Sequence, residues 1–433
     1  MTRWIFVFMM LFMVLTACRM EDKVTAISTS TPPSTVQPLK TSTRVPPFTP
    51  TFSTAVPPEV MSYQCLEIAE TLPPGRSLEG VIVYIRDNGD YNFSVYLQNQ
   101  ETNETYIFPQ EEGDNLLNFE VSPDGKWIMY DHISEKTQED HLVIATAKGE
   151  PIWSQLVDSS AIWSWFDKER VIGRDFLDNG TLQVLKLFTG ELQSLQVDFP
   201  NFDEDIGFIS FPNWSFSKGG YPVYDPTLTR VVYPGTADTR NDEWPVIIWD
   251  VKTEKLVTQI VTKDLWGKTP LWTPDGQQFI FATKLNSQGS FLLANQFLAV
   301  SRDGEIRQLT YLTEYFDETW IANNYSMSPN GKLVAFWVYV QPSSFEKAQL
   351  AVLDIDTGTI TNYCITGDPF SLNAYGQESL LAPIWSPDST QLLVISRPSE
   401  NSQTRRVVMV DIANSYAAQI SQDVNPVGWM VAP

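Results

Sequence analysis

Carboxylates and aromatics crowd together in three stretches of the chain. Asp203, Glu204, Asp205 and Trp214 share the first; Asp238, Asp242 and Glu243 the second; Tyr315, Phe316, Asp317, Glu318 and Trp320 the third. Carboxylates converging from several segments suit Ca²⁺, which takes six to eight oxygen ligands. A suitably spaced pair of acids can instead cleave a glycosidic bond, and aromatic faces beside acids grip sugars or cationic groups without reacting. No single stretch has the alternating Asp/Asn ligands ending in Glu of a calcium-binding loop, so the expectation is a binding surface with no metal and no cofactor, Ca²⁺ being the alternative. Gly-x-Ser-x-Gly, the nucleophile signature of one large hydrolase class, is absent. His132 and His141 have no cysteine ligands beside them and read as surface residues, not as a zinc site.

These stretches are spaced by imperfect copies of one unit. "IWSPDSTQLLVISR" from Ile384, "VSPDGKWIMY" from Val121, "WTPDGQQFIFAT" from Trp272 and "MSPNGKLVAFWV" from Met327 each place Ser/Thr-Pro-Asp/Asn before a β-branched and aromatic run. Proline at the second position and glycine at the end specify a type I turn. The run that follows is apolar on both faces, as in a strand sandwiched between sheets. Two further strands follow each run. Degenerate copies have Trp165-Phe166-Asp167-Lys168 and Tyr224-Asp225-Pro226 at the turn position. A first triplet, at 81–85, 93–98 and 105–108, has no such turn before it. Trp272, Trp385 and Trp429 recur before the turns and are expected in the core of the repeats.

The repeat "WSPDS…LLVIS…VVMVD" and its sisters resemble the PD40 or TolB-like β-propeller repeat, over most of residues 81–431. The resemblance, also expressed as WD40-like, implies an all-β chain folded as a single propeller with one four-stranded blade per copy. Seven blades are counted, with six as the alternative because TolB-like relatives commonly have six. The first triplet lacks its innermost strand and Val427-Gly428-Trp429-Met430-Val431 is an orphan, so pairing the two closes the ring and removes an open edge. No α/β segment accompanies the repeats, which argues against a complete prolyl-oligopeptidase-like enzyme.

Up-and-down strands a, b, c and d put the a–b and c–d turns on one face and the b–c and d–a connections on the other. The short Pro-Asp-Gly and Thr-Gly turns are all of the first kind. The long connections, 199–215, 235–244, 285–296, 312–325, 341–347 and 366–383, are all of the second, and they carry the acidic and aromatic stretches. Variable loops gathered on one face of a rigid scaffold mark a binding surface.

The N-terminus addresses location. Residues 1–17 carry Arg3 and an apolar run from Trp4 to Leu15, short for a membrane span and right for a signal-peptide core. It ends in Leu15-Thr16-Ala17-Cys18, which resembles a bacterial lipobox. That resemblance implies cleavage before Cys18 and acylation of it with palmitate-like chains, each buried methylene adding about 0.8 kcal/mol of anchoring. Residues 18–60 are rich in Thr, Ser and Pro and read as a solvated tether, reaching up to roughly 120 Å at about 3.1 Å per residue. Residues 61–433 form the propeller. Cys65 and Cys364 are an even pair in an exported chain, either two free thiols or a disulfide worth roughly 4–5 kcal/mol of loop-closure entropy.

The formal net charge of -23 repels phosphate backbones, so nucleic acid is an unsuitable partner. The expectation is a monomeric, lipid-anchored lipoprotein of the bacterial cell membrane or envelope, facing away from the cytoplasm. It presents its long-loop face to an envelope protein or a glycan. The alternatives are a hydrolase or lyase acting on extracellular polymers through carboxylates near the propeller axis, and a small-ligand sensor.

Overall fold

Each Ser/Thr-Pro-Asp/Asn turn is followed by a strand buried on both faces, and its neighbours explain why. In the computed structural model the strands form seven sheets, each built on an antiparallel set of blade strands. In Gln391–Ser396, Leu392 and Val394 point into one hydrophobic cluster while Leu393 points into another. Alternate residues of one strand therefore face the two adjoining blades. The core is divided accordingly: seven apolar clusters, one in each seam between neighbouring blades. The model describes residues 61–431 apart from 75–77, 88–92, 103, 109–114, 135, 138, 158–160, 176–180, 197–221, 236–243, 263–269, 284–295, 313–319, 322–323, 340–347, 369–380 and 398–403.

Blade 2 shows the plan, with strands a to d at Asn115–Val121, Ile128–Ile133, Asp140–Ala145 and Pro151–Val157. Blade 3 repeats it at Ala161–Trp165, Arg170–Asp175, Thr181–Lys186 and Glu191–Gln196, and blade 4 at Val223–Tyr224, Arg230–Pro234, Trp244–Asp250 and Lys255–Thr262. Blade 5 has Leu271–Trp272, Gln278–Thr283, Gln296–Ser301 and Ile306–Gln308. Blade 6 has Ser326–Met327, Leu333–Tyr339, Ala348–Asp354 and Ile360–Thr366; blade 7 has Ile384–Trp385, Gln391–Ser396, Arg406–Asp411 and Tyr416–Gln422. Blade 1 takes its a strand from the far end of the chain: Asn425–Met430 pairs antiparallel with Val81–Asp87, followed by Phe93–Asn99 and Thr105–Ile107. The ring is thus seven-bladed and closed by its C-terminal strand.

Two elements are not foreseen by the repeats. Ser62–Tyr63 pairs parallel with Ile360–Thr366, and Ile68–Ala69 pairs parallel with Tyr416–Gln422, each adding a fifth layer outside a blade. Residues 312–325 are not one loop either. Leu312, Ile321 and Tyr325 are buried in the seam between blades 5 and 6, and Trp320–Ile321 pairs with Leu333–Tyr339.

The turns owe their shape to their first residue. Ser122, Thr273, Ser328 and Ser386 each donate to the Asp or Asn two residues on, and each hydroxyl accepts a backbone N–H five residues on. In blade 4 an aspartate stands there. Asp225 accepts the backbone N–H groups of Thr227, Thr229 and Arg230, and it also binds Arg302 from blade 5.

Candidate binding rim

Strand direction sorts the connections onto two rims. Every a strand runs toward the a–b turns, so the a–b and c–d connections share one rim while b–c and d–a share the other. All the connections from 122–127 to 412–415 on the first rim are described and short. The second rim is where the long connections begin and end.

The first rim is bolted together. Three inner-strand tryptophans reach across to the preceding blade, where Trp165, Trp272 and Trp385 donate their indole N–H to the carbonyls of Glu120 (3.0 Å), Val223 (3.2 Å) and Ser326 (3.3 Å). Trp429 donates to Glu79 within the closure blade at 2.9 Å. Trp385 and Trp429 are buried; Trp272 is half-buried and packs against the blade 4–5 seam. Turn also meets turn: the Asn330 N–H donates to Ser389 Oγ at 3.1 Å, and a Cβ on Gly331 would lie 2.6 Å from Pro274 Cδ.

Buried acids also lie toward the second rim. In blade 2, Asp131 and Asp140 lie near it on strands b and c, with Glu120 on strand a. All three are buried. Asn118, at positive φ beside a bulge in strand a, donates to Asp131, and Glu120 accepts the backbone N–H of Trp165. Burial pushes the Asp131 carboxyl up to about 7, only partly offset by the Asn118 hydrogen bond and reinforced by the charges of Asp140 and Glu120. Such a group gains and loses its proton near neutral pH, and it does so away from solvent.

Between blades 6 and 7, Asp368 is fully buried and faces Arg397 (2.6 Å) and Arg405 (3.4 Å), which flank the b–c connection of blade 7. The Asp368 N–H donates to Ile395 and Gly367 bridges to Ser396, so the chain leaving blade 6 is fastened to blade 7 before its next connection begins.

Of the residues singled out from sequence, Asp203, Glu204, Asp205, Trp214, Asp238, Asp242, Glu243, Tyr315, Asp317 and Glu318 lie outside the described residues, as does Cys18. Trp320 opens the short strand that pairs with Tyr339. Cys65 and Cys364 are joined by a disulfide. His141 is within 3.7 Å of Glu139, and its ring lies 3.4 Å from Ser154 Oγ. Among the described residues, no group of three or more His, Cys, Asp or Glu side chains is arranged to hold a metal ion. Sequence reasoning passed over Asp131, whose signal is an acid interrupting the apolar run "WIMYDHI", and Asp368, which follows a strand with no such mark.

No family model and no curated protein matches the chain. Several solved structures are similar to it. TolB from Acinetobacter baumannii shares 16% identity over 80% of this chain and 81% of that one, with a TM-score of 0.40. An oligogalacturonate lyase from Vibrio parahaemolyticus shares 13% over 80% and 87%, with a TM-score of 0.48. A periplasmic gluconolactonase from Pseudomonas aeruginosa shares 14% over 82% and 100%, with a TM-score of 0.43. Identities this low bear on the fold alone.

Proposed function

We propose that the chain is a membrane-anchored, extracytoplasmic propeller lipoprotein that acts as an interaction module, offering its second rim to an envelope protein or a glycan. The observation that carries this reading is the contrast between rims: one is a continuous set of short turns bonded blade to blade, while every long connection starts and ends on the other. A scaffold fixed on one side and variable on the other fits recognition. The lipobox around Cys18 and the Thr/Ser/Pro-rich stretch after it support anchoring and reach.

The test replaces residues 199–215 and 313–319 with short turns, leaving buried Leu312, Ile321 and Tyr325 in place. Affinity capture from native membranes is expected to retain a specific partner with the native chain and lose it with the replacement, at unchanged thermal stability. Equal capture by both would remove the second rim from consideration. Anchoring is checked separately: metabolic labelling with palmitate should mark the native chain and not Cys18→Ala.

A second reading, hydrolysis or lysis of an extracellular polymer, draws on one observation, three buried acids in blade 2, Glu120, Asp131 and Asp140, with burial raising the Asp131 carboxyl. It requires activity on a polysaccharide or lactone panel that Asp131→Asn abolishes. An inactive native chain would dismiss it.

A further inference from the structure

The chain before blade 1 crosses three seams along the outside of the ring. Met61 packs against the seam between blades 5 and 6, Leu66 and Ile68 against that between 6 and 7, and Leu72 against that between 7 and 1, where the ring is closed. The holds between these points are slight. Two two-residue parallel pairings are supplemented by the N–H groups of Gln64 and Leu66 donating to Asn362 (2.8 Å) and Tyr363 (3.1 Å), and by Gln64 Nε2 donating to Ser415 Oγ. In their midst is one covalent link, from Cys65 to Cys364 in the outer strand of blade 6, across 299 residues of sequence.

The direction of this segment matters. Ser62 and Tyr63 run parallel to the blade 6 outer strand and pair with Thr361 and Asn362, close to where that strand leaves its c–d turn. Met61 therefore lies toward the first, short-turn rim. Pulling on it without the disulfide would peel Ser62–Tyr63, then residues 64 and 66, then Ile68–Ala69 and Leu72. It would next reach Val81–Asp87, the strand on which the C-terminal strand closes the ring. With the disulfide, the pull passes at Cys65 into Cys364 on the outer strand of blade 6 before it reaches Leu72 or the closure strand.

We propose that residues 61–72 form a load-bearing strap: tension arriving from the N-terminal side is delivered covalently into the outer strand of blade 6, which spares the ring closure. The proposal takes its physiological meaning from the anchored N-terminus argued above, but its test does not depend on lipidation.

The mature chain, beginning at Cys18 and made without acylation, is held in an optical trap. One handle is attached to Cys18 and another to Ser194→Cys, exposed on the outer strand of blade 3. In the native chain only residues 61–64 can be peeled before the bond is loaded, so the first step should not exceed about 14 Å at roughly 3.5 Å per residue. In Cys65→Ser/Cys364→Ser, residues 61–80 come free and an early low-force step of up to about 70 Å should appear. Should that variant fold poorly, dithiothreitol added to native molecules already in the trap supplies the two electrons and two protons that convert the disulfide to thiols, and the same step should emerge. Equal first steps in bonded and unbonded forms, whether long or absent, would overturn the strap. Failure of palmitate labelling with the step difference intact would instead count only against the lipid anchor.

Discussion

The two rims of this propeller are made from the same strands and solve opposite problems. On the short-turn rim the turn residues have local partners, and some of these link blades: Asp225 to Arg302, Asn330 to Ser389, Trp385 to Ser326. On the other rim, buried ionisable groups, Asp131 with Asp140 and Asp368 with Arg397 and Arg405, sit at the roots of the long connections. A rim that must hold the ring shut uses turn chemistry that repeats from blade to blade. The opposite rim has its strands already held and is free to vary. Substitutions on the first should therefore act on stability, and those in the long connections of the second on binding, with the buried acids of the two rims responding to pH in opposite senses.

The largest effect should come from Asp225→Ala. It leaves Arg302 without its carboxylate and strips the acceptors from the N–H groups of Thr229 and Arg230, at a cost of about 3–5 kcal/mol read from denaturant midpoints. Burial alone would raise the Asp225 carboxyl, but Arg302, Thr227 and the Arg230 N–H outweigh it and hold the group below the usual carboxylate range. A lowered folded value contributes stability above the unfolded value, and that contribution disappears as pH falls through the folded value. The native midpoint should accordingly drop in acid more steeply than that of the variant. A variant as stable as the native chain would mean that the short-turn rim does not hold the ring.

Asp131 should behave with the opposite sign. Its folded value of about 7 lies above the unfolded carboxylate value, so the folded chain holds a proton that the unfolded chain has lost. Stability from this group is complete below about pH 4 and declines as pH rises toward and through 7, by as much as roughly 4 kcal/mol on the linkage relation. Asp131→Asn should flatten this decline and be the more stable chain at pH 8. Parallel pH profiles for the two chains would show that Asp131 is not the proton carrier and would remove the pH response assigned to this part of the second rim.

The difference between the rims also explains what was legible in the sequence. Ser-Pro-Asp-Gly turns are local chemistry, complete within six residues, so four blades and their phase could be read directly, and strand triplets supplied the degenerate ones. Closure by Val427-Gly428-Trp429-Met430 followed from a missing strand at one end and a spare at the other. The outer pairings at Ser62–Tyr63 and Ile68–Ala69 could not be read, because two residues carry no periodicity and their partners are some three hundred positions away. Asp131 and Asp368 escaped for a related reason: their burial depends on which blade packs beside them. Ile321 was assigned to a loop because a two-residue strand inside a polar stretch has no sequence signature, although it is fully buried.

The smallest effect isolates how much conformational freedom the short-turn rim needs. Ser389 occupies the position held by glycine in three other turns, at a φ of 66°, and its hydroxyl accepts the Asn330 N–H. Ser389→Gly removes the cost of left-handed backbone, about 1–2 kcal/mol for a non-glycine residue, and also removes a hydrogen bond whose net value is about 0.5–1.5 kcal/mol. These oppose, so stability should change by no more than about 0.5 kcal/mol downward or about 1.5 kcal/mol upward. Ser389→Ala loses the hydrogen bond and keeps the strained backbone, so it should be the less stable of the two by about 1 kcal/mol. Equal midpoints for the glycine and alanine variants would show that backbone strain at this turn is already relieved, leaving the hydrogen bond from Asn330 as what Ser389 contributes to this rim.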